Sequence, residues 1–270
     1  MISLITATLG RTKEVRFLLE SLEKQLYKNF ELIIVDQNSH HDLEKLVGEF
    51  SNIKIIYIRS DIKGLSHNRN IGLKYVHGDI IGFPDDDCYY DNNLLMEVNN
   101  CFNEKNNDND LVVVSVKDTE TDRVFINGNN VLTKRKQLFY KCISYNFFIK
   151  RVQDMRFDER LGVGAEFGSG EETDFLWSVL KNDYNGKIIN TTYVHHPANT
   201  GAVNADRAYL YGLGFGAIMR KEVVQRHNYG MLSVYINGII RAIGGMLLKQ
   251  GRKSYYNSLS GRIRGFLCFK

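Results

Sequence analysis

Residues 79–87 read Asp79-Ile80-Ile81-Gly82-Phe83-Pro84-Asp85-Asp86-Asp87, a short apolar run that stops on a proline and three carboxylates. Residues 79–83 have the pattern of a buried strand. Pro84 has no N–H to donate and cannot continue a central ladder, so the aspartates sit at the strand's C-terminal mouth. Adjacent like charges at the edge of a core repel unless something positive sits among them. A divalent cation that also grips a diphosphate meets that need with oxygen donors. Strand-like alternation turns Asp85 and Asp87 to one side and Asp86 to the other. Asp85 and Asp87 are therefore candidates for ion or ribose contacts and Asp86 for support, with a solvated acidic turn as the other reading.

Working outward, the first hundred residues alternate strand and helix patterns with short connections. Strands are expected at 2–7, 30–36 and 53–58, and helices at 13–24, 42–49 and 66–76. Ser66 stands at the N-cap of the last and Gly78 just past its end, while Asp91 is expected to cap a helix at 92–102. Such alternation predicts an α/β fold with a mostly parallel sheet and right-handed crossovers. Ligands of such sheets bind beyond the carboxyl ends of the strands. The 6–8 loop, Asp36 and the three aspartates all fall at such ends. Residues 99–110 read as a surface loop, and 111–116 and 123–126 as strands opening a less regular second half. A glycine-rich segment, 162–170, leads to Glu171-Glu172 and a helix at 173–181. A strand at 187–194 ends on His195-His196-Pro197.

Several of these residues could carry chemistry. Asp36 could accept hydrogen bonds from a nucleobase or a ribose, or be a turn aspartate. Arg69, in the first turn of its helix, suits a diphosphate or an ion pair to the aspartate loop, and the two roles are compatible. Glu171 and Glu172 read as a base pair of candidates or as simple capping acids. His195 and His196 are neighbours on a strand and face opposite ways, so only one reaches a given site, where a neutral imidazole can complete a metal's coordination. Trp177 has the spacing of a core residue.

At 270 residues the chain can hold one large α/β domain with an appendage. Its four cysteines have neither zinc spacing nor a disulfide framework, which points to a reducing cytosol. The opening residues have no basic and long apolar leader pattern. The net charge of +4 hides an asymmetry: no acidic residue follows Glu222, but eight basic ones do. They accompany a broad apolar surface over 231–248, interrupted by Asn237 and Arg241, as suits a helix lying in an anionic membrane surface rather than a nucleic-acid partner. An amphipathic helix packed on the protein's own core is the other reading.

In order along the chain, the strand Leu4-Ile5-Thr6-Ala7-Thr8, the strand 31–36, the 64–72 segment, Phe83-Pro84-Asp85-Asp86-Asp87, the 157–162 run and Gly170-Glu171-Glu172-Thr173-Asp174 resemble family 2 glycosyltransferases of the GT-A fold. The likeness covers about the first 200 residues and is nearest to bacterial enzymes of capsule, O-antigen or exopolysaccharide synthesis. It implies a Rossmann-like, mostly parallel sheet flanked by helices over 1–205, with a nucleotide-sugar half (1–110), an acceptor half (111–205) and a C-terminal amphipathic helical extension (206–270). It further implies Thr6, Ala7, Thr8, Arg11, Asp36, Arg69, Asp85 and Asp86 at the nucleotide sugar. Asp87, with Asp85 and His196, would hold Mn2+ or Mg2+. Glu172, or else Glu171, would be the base. The family usually has Glu followed by Asp here, so Glu172 is one methylene longer. The implied reaction is an inverting transfer from a nucleotide sugar, with UDP favoured, to a lipid-linked glycan at the inner face of the cell membrane. A catalytically silent sugar-binding scaffold and a sugar-phosphate nucleotidyltransferase are the rival readings. The second suffers from having only one glycine in its expected N-terminal loop. Oligomeric state is left open.

Overall fold

The computed structural model describes residues 1–104, 108–126, 131–180, 183–198, 204–248 and 250–270. The expected alternation is present. β1 (Ile2–Thr8) leads to α1 (Thr12–Glu23), β2 (Phe30–Asp36) to α2 (Asp42–Val47), and β3 (Lys54–Arg59) to α3 (Leu65–Leu73) and β4 (Ile80–Gly82). β5 (Tyr89–Tyr90), α4 (Leu94–Phe102), β6 (Leu111–Asp118), β7 (Val124–Ile126), β8 (Val131–Leu132) and α5 (Arg135–Lys141) follow. Then come β9 (Phe147–Lys150), α6 (Glu171–Val179) and β10 (Gly186–His196). β1 and β2 are buried almost throughout, including the polar Ser3, Thr6, Thr8, Glu31 and Asp36, as suits central strands covered on both faces.

The sheet order is β3-β2-β1-β4-β9-β6-β10-β5, with β7 beside β6 and β8 beside β10. β3, β2, β1 and β4 are mutually parallel. β9 enters antiparallel, setting Ile149 against both Ile81 of β4 and Leu111 of β6. The sheet is thus an α/β sheet of the expected class but mixed rather than mostly parallel beyond β4. The reason is physical: a four-residue apolar strand shows burial in its sequence but not direction. Phe147, Phe148 and Ile149 fill the core on either side.

Packing groups the chain into two compact units. The first comprises Met1–Lys63, His67–Arg156 and Leu176–Asn199 and contains the sheet; the second comprises Gly64–Ser66, Phe157–Phe175 and Thr200–Lys270. In the second, α7 (Ala205–Arg220) runs into a π-helical turn (Lys221–Gln225), followed by α8 (Leu232–Leu248) and α9 (Arg252–Cys268). Among the described residues the helical extension therefore holds three α-helices. α7 and α9 touch backbone to backbone: a Cβ on Gly216 would lie 2.2 Å from the Arg262 carbonyl, and one on Gly265 2.0 Å from that of Leu213.

Two capping expectations fail. Asp91 does not cap α4; its carboxylate accepts from the Tyr193 N–H at 2.9 Å and faces His195 Nε2 at 2.8 Å. Ser66 does not cap α3, because its hydroxyl donates to the Leu161 carbonyl at 2.6 Å. In both cases a tertiary partner displaces the local one. Trp177 is core, as read, with its indole N–H donating to the Arg135 carbonyl at 3.0 Å. All four cysteines are free.

Candidate active site

In the first unit, β1 and β4 are in parallel register with Leu4 opposite Gly82, so the two chains leave the sheet side by side. The hydroxyl of Thr6 donates to the Pro84 carbonyl at 3.1 Å, and that of Thr8 to Asp86 at 2.7 Å. Arg11 donates to Asp86 at 2.9 Å and also to Asp87. Asp86 thus points at the β1 end and shares the Arg11 guanidinium with Asp87. Burial pushes its pKa up against the pull of Thr8 and Arg11. Ala7, half-buried, lies between the two threonines.

On the other side, one ligand atom each from Asp85, Asp87 and His196 lie within 4.8 Å of one another. Asp85 accepts from Arg69 at 2.9 Å and from the Ser144 hydroxyl at 3.2 Å. Asp87 lies 3.2 Å from His196 Nε2. The other ring nitrogen, Nδ1, is 2.8 Å from the Pro197 carbonyl, which can only accept, so Nδ1 carries a proton and Nε2 is turned to the aspartates. Tyr145 stacks on the imidazole at 4.1 Å, holding the ring plane. Burial opposes charge on both members of this pair. Their mutual attraction wins, holding Asp87 below and His196 above the ordinary value. His195 goes elsewhere, to Asp91 and a stack on Tyr89.

Arg69 is 1% exposed, with Asp85 at one end and Phe83 beneath the guanidinium at 5.9 Å. Asp36 is fully buried at the end of β2. It accepts from the Asn38 N–H (2.8 Å) and side-chain amide (2.7 Å), and from the Tyr57 hydroxyl. A carboxylate has about four lone-pair sites, so room remains for one further donor.

In the second unit Glu171 and Glu172 open α6, Glu171 buried and Glu172 half-buried. Gly162, at φ +100°, lies so close that a Cβ there would come within 3.1 Å of the Glu171 carboxyl carbon. One turn on, Asp174 accepts from Lys221 at 2.7 Å and Arg226 at 2.8 Å.

The donor set of Asp85, Asp87 and His196 is two carboxylate oxygens and one imidazole nitrogen, all half-buried. That set suits Mn2+ or Mg2+, and a cation there would relieve the repulsion between neighbouring carboxylates. The sequence pointed to neither Ser144 nor the stack of Tyr145 on His196. Both come from the turn before β9, whose place in the sheet no local pattern announces.

The chain matches the Glycosyl transferase family 2 profile over residues 3–159. It is 29% identical over 256 residues to WfaP of Escherichia coli, described as a UDP-Glc:alpha-D-GlcNAc-diphosphoundecaprenol beta-1,3-glucosyltransferase, spanning 89% of this chain and 95% of that one. It is 32% identical over 201 residues to WfgD of the same organism, which has the same description, spanning 72% and 75%. Among solved structures, residues 1–349 of TarS from Staphylococcus aureus superpose with a TM-score of 0.73 at 18% identity, covering 98% of this chain and 80% of that one. Its complex with UDP-GlcNAc gives 0.70. The chain spans only 30% and 17% of two longer curated relatives that it also matches. On the profile match and on its likeness to WfgD, this chain belongs to glycosyl transferase family 2.

Proposed function

We propose that this protein transfers a sugar from a UDP-sugar to a hydroxyl of a lipid-linked glycan, inverting the anomeric configuration. The observation that carries this reading is the convergence of Asp85, Asp87 and His196 at the carboxyl end of the parallel strands. The donors and acceptors in the descriptions of WfaP and WfgD, and the solved UDP-GlcNAc complex of TarS, supply the substrate classes.

Asp87, Asp85 and His196 would hold Mn2+ or Mg2+, which when bound offsets charge on the departing nucleoside diphosphate. Asp36 and the 6–8 segment hold the nucleoside, with Asp85 also at the ribose. Arg69 keeps Asp85 aimed, and Arg11 and Asp86 fix the loop that carries Asp87. Glu172 takes the acceptor proton, a contribution of typically ~10²–10⁴ in rate. One displacement assisted by one base inverts, whereas two successive carboxylate-assisted displacements would retain. Residues 1–110 serve the donor, 111–205 the acceptor, and 206–270 hold the enzyme at the inner face of the membrane.

The test is thermal unfolding with UDP-glucose and UDP-GlcNAc, with and without Mn2+. A donor at a hundred times its Kd stabilises by about 2.7 kcal/mol. The shift is expected only with the metal, and Asp87→Asn abolishes it. A shift of equal size without metal, retained in Asp87→Asn, would falsify the metal assignment.

A further inference from the structure

α8 has three faces. Val234, Gly238, Ala242 and Gly245 form a buried line. A Cβ on Gly238 would meet the Phe215 ring at 2.7 Å, and one on Gly245 the Tyr255 ring at 2.2 Å, so this side is committed to its own unit. On the helical wheel the roughly opposite side carries Leu232, Ile236, Ile240, Ile243 and Leu247, and all five are exposed, Ile240 at 58% and Leu247 at 64%. Ser233, Asn237 and Arg241 make an exposed polar edge between the two. α9 repeats the outer arrangement, exposing Ile263 and Leu267 beside Arg264, and Tyr256 beside Arg252 and Lys253.

The segment Tyr229–Leu248 is long and apolar enough to cross a bilayer. Its packing argues against crossing. A spanning helix would have to leave the Phe215 and Tyr255 rings and would carry Arg241 near the bilayer centre. An exposed apolar stripe backed by protein and edged by Arg241, in a stretch with eight basic and no acidic residues after Glu222, matches an anionic lipid surface in both chemistry and sign. We infer that α8 lies in the plane of an anionic bilayer, its Leu232–Leu247 stripe dipping below the headgroups while Arg241 and the exposed cations of α9 contact lipid phosphates. This rests on the proposed membrane role of residues 206–270 and adds the face, the depth and the lipid charge.

The full chain is floated with phosphatidylcholine vesicles, with and without phosphatidylglycerol. Binding to the anionic vesicles is expected to be on the order of 10² tighter and to weaken with salt. The triple variant Ile236→Ser, Ile240→Ser, Ile243→Ser loses vesicle binding while its circular dichroism and transfer to a water-soluble acceptor stay at wild-type level. Arg252→Gln, Lys253→Gln, Arg264→Gln loses only the preference for anionic lipid. A fluorophore on Ile240→Cys, in a Cys268→Ser background, is quenched by lipids brominated near the headgroup and not by those brominated at the chain ends. Three results overturn the inference: equal binding to neutral vesicles, quenching from the chain ends, or a dimer in solution that the triple variant dissolves without any vesicle binding. Each leaves transfer to the soluble acceptor as a separate readout, so loss of that activity alone would count against the proposed function instead.

Discussion

Two acidic runs, Asp85–Asp87 in the first unit and Glu171–Asp174 in the second, look alike in sequence and are balanced in opposite ways. In the first, every carboxylate meets a cation or imidazole: Arg69 on Asp85, Arg11 shared by Asp86 and Asp87, and His196 on Asp87. Asp85 and Asp87 are also held beside a histidine, with one ligand atom of each of the three within 4.8 Å of the others. In the second, Lys221 and Arg226 both take Asp174, and their remaining bonds go to Asp158 and Glu222. Charge in the first run is arranged around a position; charge in the second is arranged around a joint between α6 and the π-helical turn. The first arrangement suits ligand binding. The second suits holding the start of α6 still.

The largest expected effect separates chemistry from donor binding. Glu172→Gln should lower kcat by ~10²–10⁴ while leaving the Mn2+-dependent donor shift in thermal unfolding intact. Asp87→Asn should remove both. If Glu172→Gln abolishes the donor shift as Asp87→Asn does, the two runs do not have distinct roles. If Glu171→Gln shows the loss of turnover and Glu172→Gln does not, the base is the buried member of the pair.

Next comes stability. Glu222 is fully buried and bonds Arg226 at 2.7 Å and the Asn228 amide at 3.0 Å. Arg226→Met strips a buried carboxylate of its cation and should destabilise by roughly 3–5 kcal/mol in urea unfolding. Arg11, half-exposed over the first run, should cost no more than about 1 kcal/mol as Arg11→Met, because water screens that pair. Its effect should fall on donor affinity instead. Equal losses of stability from the two arginines would erase the distinction between a joint and a binding position.

The contrast also explains what could be read in advance. The first run was legible because its signal is local: an apolar strand, a proline and alternating carboxylates fix where the charges emerge and which way Asp86 turns. The β1 end was legible for the same reason, being the end of a short, strongly patterned element. The partners Ser144 and Tyr145 were not, because they arrive with β9, whose antiparallel insertion is decided by tertiary packing. Asp91 was misread because a helix cap is what such a residue does when nothing else competes, and His195 competes. The joint of the second unit was invisible. Asp158, Asp174, Lys221, Glu222 and Arg226 are ordinary charged residues until three separate stretches of chain pack together. The glycines of α7 and α9 likewise carry no apolar period, and their meaning lies in the facing backbone.

A carboxylate belonging to neither run sharpens the comparison. Glu31, on β2, is wholly buried and receives the Ser3 hydroxyl at 2.7 Å, Lys54 at 2.6 Å and the His77 N–H at 2.8 Å. Burial alone would raise its pKa. The ammonium of Lys54, the Ser3 hydroxyl and the His77 N–H outweigh that and bring it down from 4.5 to about 2. A depressed folded-state pKa means that the stabilisation is fully present above 4.5 and is lost as the pH falls from there through about 2. Glu31→Gln has no such proton to take up. At neutral pH it should unfold with about 1–3 kcal/mol less stability, and the gap to the wild-type protein should close progressively below pH 4.5, measured by urea titration at a series of pH values. Donor affinity at neutral pH should not move, because none of these bonds reaches the aspartate loop. A gap that stays constant through the acid range would mean that Glu31 is valued for shape rather than charge, and internal pairing of a carboxylate could then no longer serve as the structural reference against which the Asp85–Asp87 run stands out.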